Sequence, residues 1–185
     1  MAEGGKLAGA IIVSIIIGAG LGYGLTWLLQ PSGSILQTKY LQLTSQNFKS
    51  DDDLTKTGMT GTHLNITTKG QSYLIVDFSC TLGYHLDQLF TGVIRFNISL
   101  EVDGTEVARS KASWYAASAI GNAQEGTEQV TLNWVSKTLP AGTYTANMTW
   151  TSLYDAPGVN QIYASTPNMN TSRTLMIQEI RAPLF

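Results

Sequence analysis

The chain has one cysteine, Cys80, in 185 residues. A single thiol cannot close an internal disulfide, so the small disulfide-stapled secreted class is excluded. Cys80 also falls in an apolar alternation with Leu74, Val76 and Phe78, where a thiol acts as a small buried hydrophobe. Charge is sparse as well: Asp, Glu, Lys and Arg make up 13% of the chain, the formal net charge is -2, and neither half carries a basic stripe. Neutralisation of phosphates by Lys and Arg dominates affinity for nucleic acid, so no nucleic-acid partner is expected. Histidine occurs twice, at His63 and His85, and there is no G-x-S-x-G, H-E-x-x-H or C-x-x-C. The chain is therefore not expected to be an enzyme or to bind a cofactor. Asp51-Asp52-Asp53 is followed by Leu-Thr-Lys and lacks the glycine and distal glutamate of an EF-hand loop, so a solvated acidic loop is expected and no metal site.

What the chain does have is one long apolar run. Residues 7–29 contain no charge and only Ser14, Tyr23 and Thr26 as polar interruptions. As a helix at ~1.5 Å per residue the run is about 34 Å long, enough to cross a hydrocarbon core of ~30 Å with some tilt. Tyr23 and Trp27 lie at its distal end, where aromatic rings favour the interface. Residues 1–30 are accordingly expected to form a transmembrane anchor with the lipid bilayer as partner. The competing reading is a cleaved secretory signal, since Gly18-Ala19-Gly20 could imitate a small-residue cleavage site. The apolar run exceeds the ~7–15 residues of such a signal. Gly18 with Gly22, and Gly20 with Gly24, form overlapping small-xxx-small pairs that would let two helices approach closely in lipid.

The positive-inside count does not orient the anchor, because Lys6 on one side faces Lys39 and Lys49 on the other. Composition decides instead. The rest of the chain is rich in Thr, Ser, Asn and Tyr and carries four N-x-[ST] sequons, at Asn65, Asn97, Asn147 and Asn170. These are candidate glycosylation sites. Nine Asn and 37 Ser plus Thr in 185 residues give about two sequons by chance, so four is a mild excess. A single-pass protein with an extracytoplasmic C-terminal domain is the expected arrangement.

That domain reads as all-β. Ile94, Phe96, Ile98, Leu100 and Val102 alternate with Arg95, Asn97, Ser99 and Glu101, one face for the core and one for water. Asp103-Gly104 then supplies the two positive-φ positions of a type I′ turn, and residues 105–112 return as the partner strand. A second hairpin is expected to pair Val130, Leu132 and Trp134 with Tyr144, Ala146, Met148 and Trp150 across the turn Leu139-Pro140-Ala141-Gly142. On that pattern Trp150 faces the core and Asn147 and Thr149 face solvent. Further strands are expected at residues 62–68, 72–81 and 173–180, with an optional first strand within 35–44. About eight strands without an amphipathic helix suit a β-sandwich of the jelly-roll kind. The expected boundaries are 1–30 for the anchor, 31–60 for a linker holding a possible donor strand, and 61–185 for the sandwich.

The segments Ser99-Leu-Glu-Val-Asp-Gly-Thr-Glu-Val107 and Lys137-Thr-Leu-Pro-Ala-Gly-Thr-Tyr-Thr145 resemble those of jelly-roll modules of the tumour-necrosis-factor and C1q-like kind. Similar hairpins occur in viral and archaeal surface proteins. An apolar N-terminal helix before a β-sandwich also resembles an archaeal pilin or filament subunit. The match departs from the pilin pattern at one place, since Lys6 is followed by Leu7 where pilin processing expects Gly or Ala. The resemblance implies a cell-surface structural or adhesive subunit that self-associates or binds other surface proteins, assembling into a filament or surface layer. Two alternatives stand beside it: a ligand-binding ectodomain, with Trp114-Tyr115 and the stretch from Tyr154 to Tyr163 as its exposed aromatics, and a membrane-anchored viral spike or capsid-associated jelly roll.

Overall fold

Successive side chains on a strand point to opposite faces, so each apolar alternation in the sequence marks a strand with one buried face. The computed structural model describes residues 32–87, 91–116, 124–153, 160–164 and 172–183. The expected anchor, with Gly18, Gly20, Gly22 and Gly24, lies outside the described residues, as does Asn170. No helix among the described residues is long and apolar enough to cross a membrane.

The described strands are β1 (Ile35–Leu43), β2 (Asn47–Ser50), β3 (Thr57–Leu86), β4 (Gly92–Val102), β5 (Thr105–Ala116), β6 (Gln124–Val135), β7 (Leu139–Ser152), β8 (Gln161–Ala164) and β9 (Arg173–Arg181). All pairing is antiparallel. The thirty-residue β3 is two strands in one. Its first half pairs with β7 and its second half with β6, β8 and β9. Between the halves the register slips at Lys69/Ser72, where Gly70 and Gln71 take φ of +90° and +52°. Gly70 is required here twice over: a left-handed φ strains a β-carbon, and that carbon would lie 2.9 Å from the backbone nitrogen of Ala141.

The crossover in β3 carries the chain from one layer to the other. Sheet I runs β5, β4, β7, first half of β3; sheet II runs β6, second half of β3, β8 with β9, then β1 with β2. Counting β1 with β2 and β8 with β9 as single broken strands, the two layers hold strands 2-7-4-5 and 1-8-3-6, which is the jelly-roll order. Ile66, Ile98, Leu100, Met148 and Trp150 from sheet I bury in one cluster with Leu74, Val76, Phe78, Cys80, Leu132 and Ile177 from sheet II. The all-β sandwich is thus as expected.

Three expectations change. Residues 31–60 are not a separate linker: β1, β2 and the start of β3 lie in them, and residues 35 and 37–43 pair with this chain's own β9, with Leu41 packed against the core. The second hairpin does not form, because β6 lies in sheet II against β3 and β7 lies in sheet I. Alternation fixes which face a residue shows and not which strand it pairs with. Nor is Leu139-Pro140-Ala141-Gly142 a turn, for these residues open β7 and pair with residues 68, 69 and 72 of β3. The β4–β5 hairpin does form, with Asp103 and Gly104 at φ of +49° and +74°.

Candidate binding surfaces

A jelly roll offers two outer faces and two loop-bearing ends, and here they differ in chemistry. On sheet I the outer face is polar. Asn65 lies exposed on the edge strand, where its Oδ1 accepts the Thr145 hydroxyl at 2.8 Å. Asn147 lies opposite His63 on the neighbouring strand, and Asn97 lies opposite Thr151 and Lys111; both are half-buried. All three described sequon asparagines therefore share this face. Lys56 pairs with Glu101 and, at 3.7 Å, with Glu106, and Glu106 takes Arg109 at 2.6 Å. The Glu101 carboxylate holds the Lys56 ammonium above its ordinary range, and Arg109 holds Glu106 below the usual carboxylate range.

Beneath this network Ser99 and Thr149 are only 3% and 5% exposed, although both point outward. They oppose each other on the two central strands of the sheet, and Glu106 reaches across to accept a hydrogen bond from Ser99. The expectation that Thr149 faces solvent is corrected accordingly. It points outward, but it lies between Ser99 and Gly58 on the two neighbouring strands and its hydroxyl turns to the Ser99 carbonyl at 3.5 Å.

Sheet II presents a mixed face. Tyr40 (58% exposed), Phe48, Ile35 and Val135 stand out to solvent along its margins. Between them runs a polar ladder in which Asn133 donates to Asp77, Gln129 Nε2 donates to Ser79 at 2.7 Å, and the Thr81 hydroxyl donates to Gln129 at 2.9 Å. Tyr163 lies half-buried opposite Phe48. Of the expected exposed aromatics, Tyr115 is exposed but Trp114 is buried, its ring 4.9 Å from that of Tyr84 and 6.4 Å from Phe96. Residues 154–159 lie outside the described residues.

The acidic triplet is not a uniformly solvated loop. Asp51 is buried and tied to Asn160, whose amide donates to Asp51 Oδ2 at 3.0 Å; Asp52 is exposed. Asp53 accepts the buried Lys49 ammonium at 2.5 Å and the Thr55 backbone N–H at 3.1 Å. The Lys49 bond first, and then Thr55, pull its carboxyl down to about 2. His63 is exposed on sheet I, while His85 Nδ1 lies 3.3 Å from Glu125 at the opposite end of the sandwich from the β3 crossover.

One residue of consequence was not singled out from the sequence. Arg173 is 1% exposed and lies across the strand pair from Cys80. Its Nε donates to Thr62 Oγ1 at 2.6 Å, one terminal nitrogen to the carbonyls of Ser45 (2.7 Å) and Ala164 (3.3 Å), and the other to the carbonyl of Thr60 (2.7 Å). It thereby fastens the β1–β2 link, the irregular start of β3 and the end of β8.

No protein-family model matches the chain, and no curated protein matches it in sequence. Among solved structures it is similar to a structure of infectious bursal disease virus Gx strain, at 13% identity and a TM-score of 0.40, over 82% of this chain and 35% of that one. It is also similar to dimeric latent PorU from Porphyromonas gingivalis, at 8% identity and a TM-score of 0.41, over 82% of this chain and 14% of that one. A third is the EclA C-terminal domain, a sugar-binding protein, at 16% identity and a TM-score of 0.26, over 80% and 82%. The chain spans about a third of the length of the viral chain and a seventh of PorU. Likenesses this distant add nothing to what the strand pairing itself shows.

Proposed function

We propose that the chain is a single-pass membrane protein whose jelly-roll domain stands outside the cytoplasm as a structural or adhesive surface subunit, associating with copies of itself or with other surface proteins. The observation that supports this most is the junction of two features. An uncharged run long enough to span a bilayer ends at Leu29, and the first described strand of the sandwich begins at Ile35. The polar face with three sequon asparagines suits an aqueous compartment where glycans are added. The four outward hydrophobic side chains on sheet II offer a face for association.

Fractionation of the native protein tests the anchor. The full chain is expected to resist extraction from membranes by alkaline carbonate, and externally added protease is expected to digest the domain in intact cells. Recovery of a mature form that begins beyond Gly24 and stays in solution would sink it. Removal of residues 1–30 is expected to leave a domain that melts cooperatively, since residues from both sheets bury together in one core cluster.

A second reading is that sheet II is a ligand platform, because Tyr40, Phe48 and Tyr163 share its outer face with the Asp77 carboxylate and the Asn133 and Gln129 amides, a mixture that suits a polar, ring-bearing ligand such as a glycan. Screening the domain on a glycan array, with Tyr40→Ala as control, separates this from a purely structural role.

A further inference from the structure

The two ends of the sandwich are unlike, and the start of the described chain is fastened to one of them. Gly33 N–H donates to the Arg181 carbonyl at 2.9 Å, Arg181 N–H donates to the Ser34 carbonyl at 3.0 Å, and Ala182 N–H donates to the Gln71 carbonyl at 3.0 Å. The entry of β1, the exit of β9 and the β3 crossover are thus stapled together at one end. Between Leu29 and Gly33 lie only Gln30, Pro31 and Ser32. Four Cα steps reach about 14 Å when fully extended, and Pro31 narrows the paths available. The headgroup layer of one leaflet is itself some 5–8 Å thick.

The same end is cationic at its extremity. Lys69 and Lys137 are exposed there, beside the Gly70-Gln71 crossover and the β6–β7 connection. The acid of this end is set back: Asp103 is held to residue 145, six positions along β7 from Leu139 at the tip, or about 20 Å at strand spacing. Glu179 is buried against Ser72 at 2.7 Å. At the opposite end lie Asp52, Asp87, Glu125 and Glu128, with Asp51 buried, Asp53 paired to Lys49, and Arg95 exposed nearby.

We infer that the Lys69/Lys137 end of the sandwich docks against anionic lipid headgroups, so that the domain stands end-on with its acidic loops outermost. This rests on the anchored reading of residues 1–30. The short tether holds both lysines within reach of the surface potential, which decays over a Debye length of about 8–10 Å. On a leaflet that carries anionic lipid, two lysines at the surface bias the orientation by roughly tenfold or more.

The test uses the full chain in phosphatidylcholine vesicles with and without phosphatidylserine. A fluorophore is attached to Thr138→Cys at the docked end or to Asp52→Cys at the far end, and Cys80, being buried, stays out of reach of the label. Nitroxide-headgroup lipid is the quencher. Quenching at position 138 is expected to exceed that at 52 several-fold, to grow with phosphatidylserine, and to fall in Lys69→Glu/Lys137→Glu while the thermal melt of the domain stays where it was. Equal quenching at the two positions, or stronger quenching at 52, would overturn the inference while leaving the anchor intact. Release of the chain from vesicles by alkaline carbonate would remove the anchor and the inference with it.

Discussion

Replacing Arg173 tests the account of the fold at its least apolar point. Its guanidinium serves four acceptors on three chain segments, and burial pushes its pKa down from the ordinary arginine value, against an opposing contribution from Cys80. A guanidinium nonetheless stays charged in a protein. Hydrogen bonds from a charged donor contribute ~1.5–3 kcal/mol each, so four of them amount to about 6–12 kcal/mol before desolvation. Desolvation of the cation costs several kcal/mol and offsets roughly half of that. Arg173→Ala strands three carbonyls and opens a cavity, and a loss of about 3–5 kcal/mol is expected.

Arg173→Lys is the sharper variant. It keeps the charge and its desolvation cost but gathers the donors on one nitrogen, which cannot span Ser45, Thr60, Thr62 and Ala164 together. A loss of about 2–4 kcal/mol is expected. Urea unfolding of residues 31–185, followed by tryptophan fluorescence, measures both, with buried Trp114 and Trp150 as reporters. If Arg173→Lys unfolded within ~0.5 kcal/mol of the parent, as an ordinary surface change does, the fork geometry would be irrelevant and the clamp refuted.

Trp150, 1% exposed and among the largest fully buried side chains, should cost about 3–5 kcal/mol as Trp150→Ala. Thr149→Ala should exceed the ~0.5 kcal/mol of a surface change because it removes a buried hydroxyl, and the same urea titration ranks the two. Gly70→Ala should lower stability by ~2 kcal/mol or more, and a melt unchanged by it would show that the β3 crossover tolerates a side chain. Asp53, depressed to about 2 by Lys49 and Thr55, binds its proton less tightly folded than unfolded. Its contribution to stability is therefore present above the unfolded value near 4 and is lost as pH falls toward 2. A carboxyl carbon titration by NMR should find that midpoint low, and Lys49→Met should bring it back toward 4.

The elements read correctly from sequence are those whose signal is local. The β4–β5 hairpin needs only an alternation and an Asp-Gly at the turn, and it forms where both occur. Fold class follows from strand count and spacing. Partner choice is not local, which is why Trp134 and Trp150 were assigned to adjacent strands and instead belong to opposite sheets. Pro140 and Gly142 read as a turn by residue type, yet β3 lies beside them and draws them into a strand. Burial on a polar face also escapes the sequence, because Ser99 and Thr149 meet each other, and Ser99 meets Glu106, from different strands only after folding. Arg173 was legible in part: it stands in phase with Leu175 and Ile177, an inward position, where a charge requires hydrogen-bonding partners.

The pairing of β1 with β9 has a consequence for the birth of the protein. Gln37 and Glu179 bond directly across 142 positions of sequence. At ~5–20 residues per second, synthesis of the intervening chain takes about 7–30 s, far longer than a hairpin needs to form. The first strand to leave the ribosome is consequently the last to find its place, and neither sheet II nor the Arg173 clamp closes before residue 173 emerges. During that interval β1 lacks its β9 and can pair with the β9 of a completed neighbour, so crowded synthesis is the condition under which exchanged dimers would form.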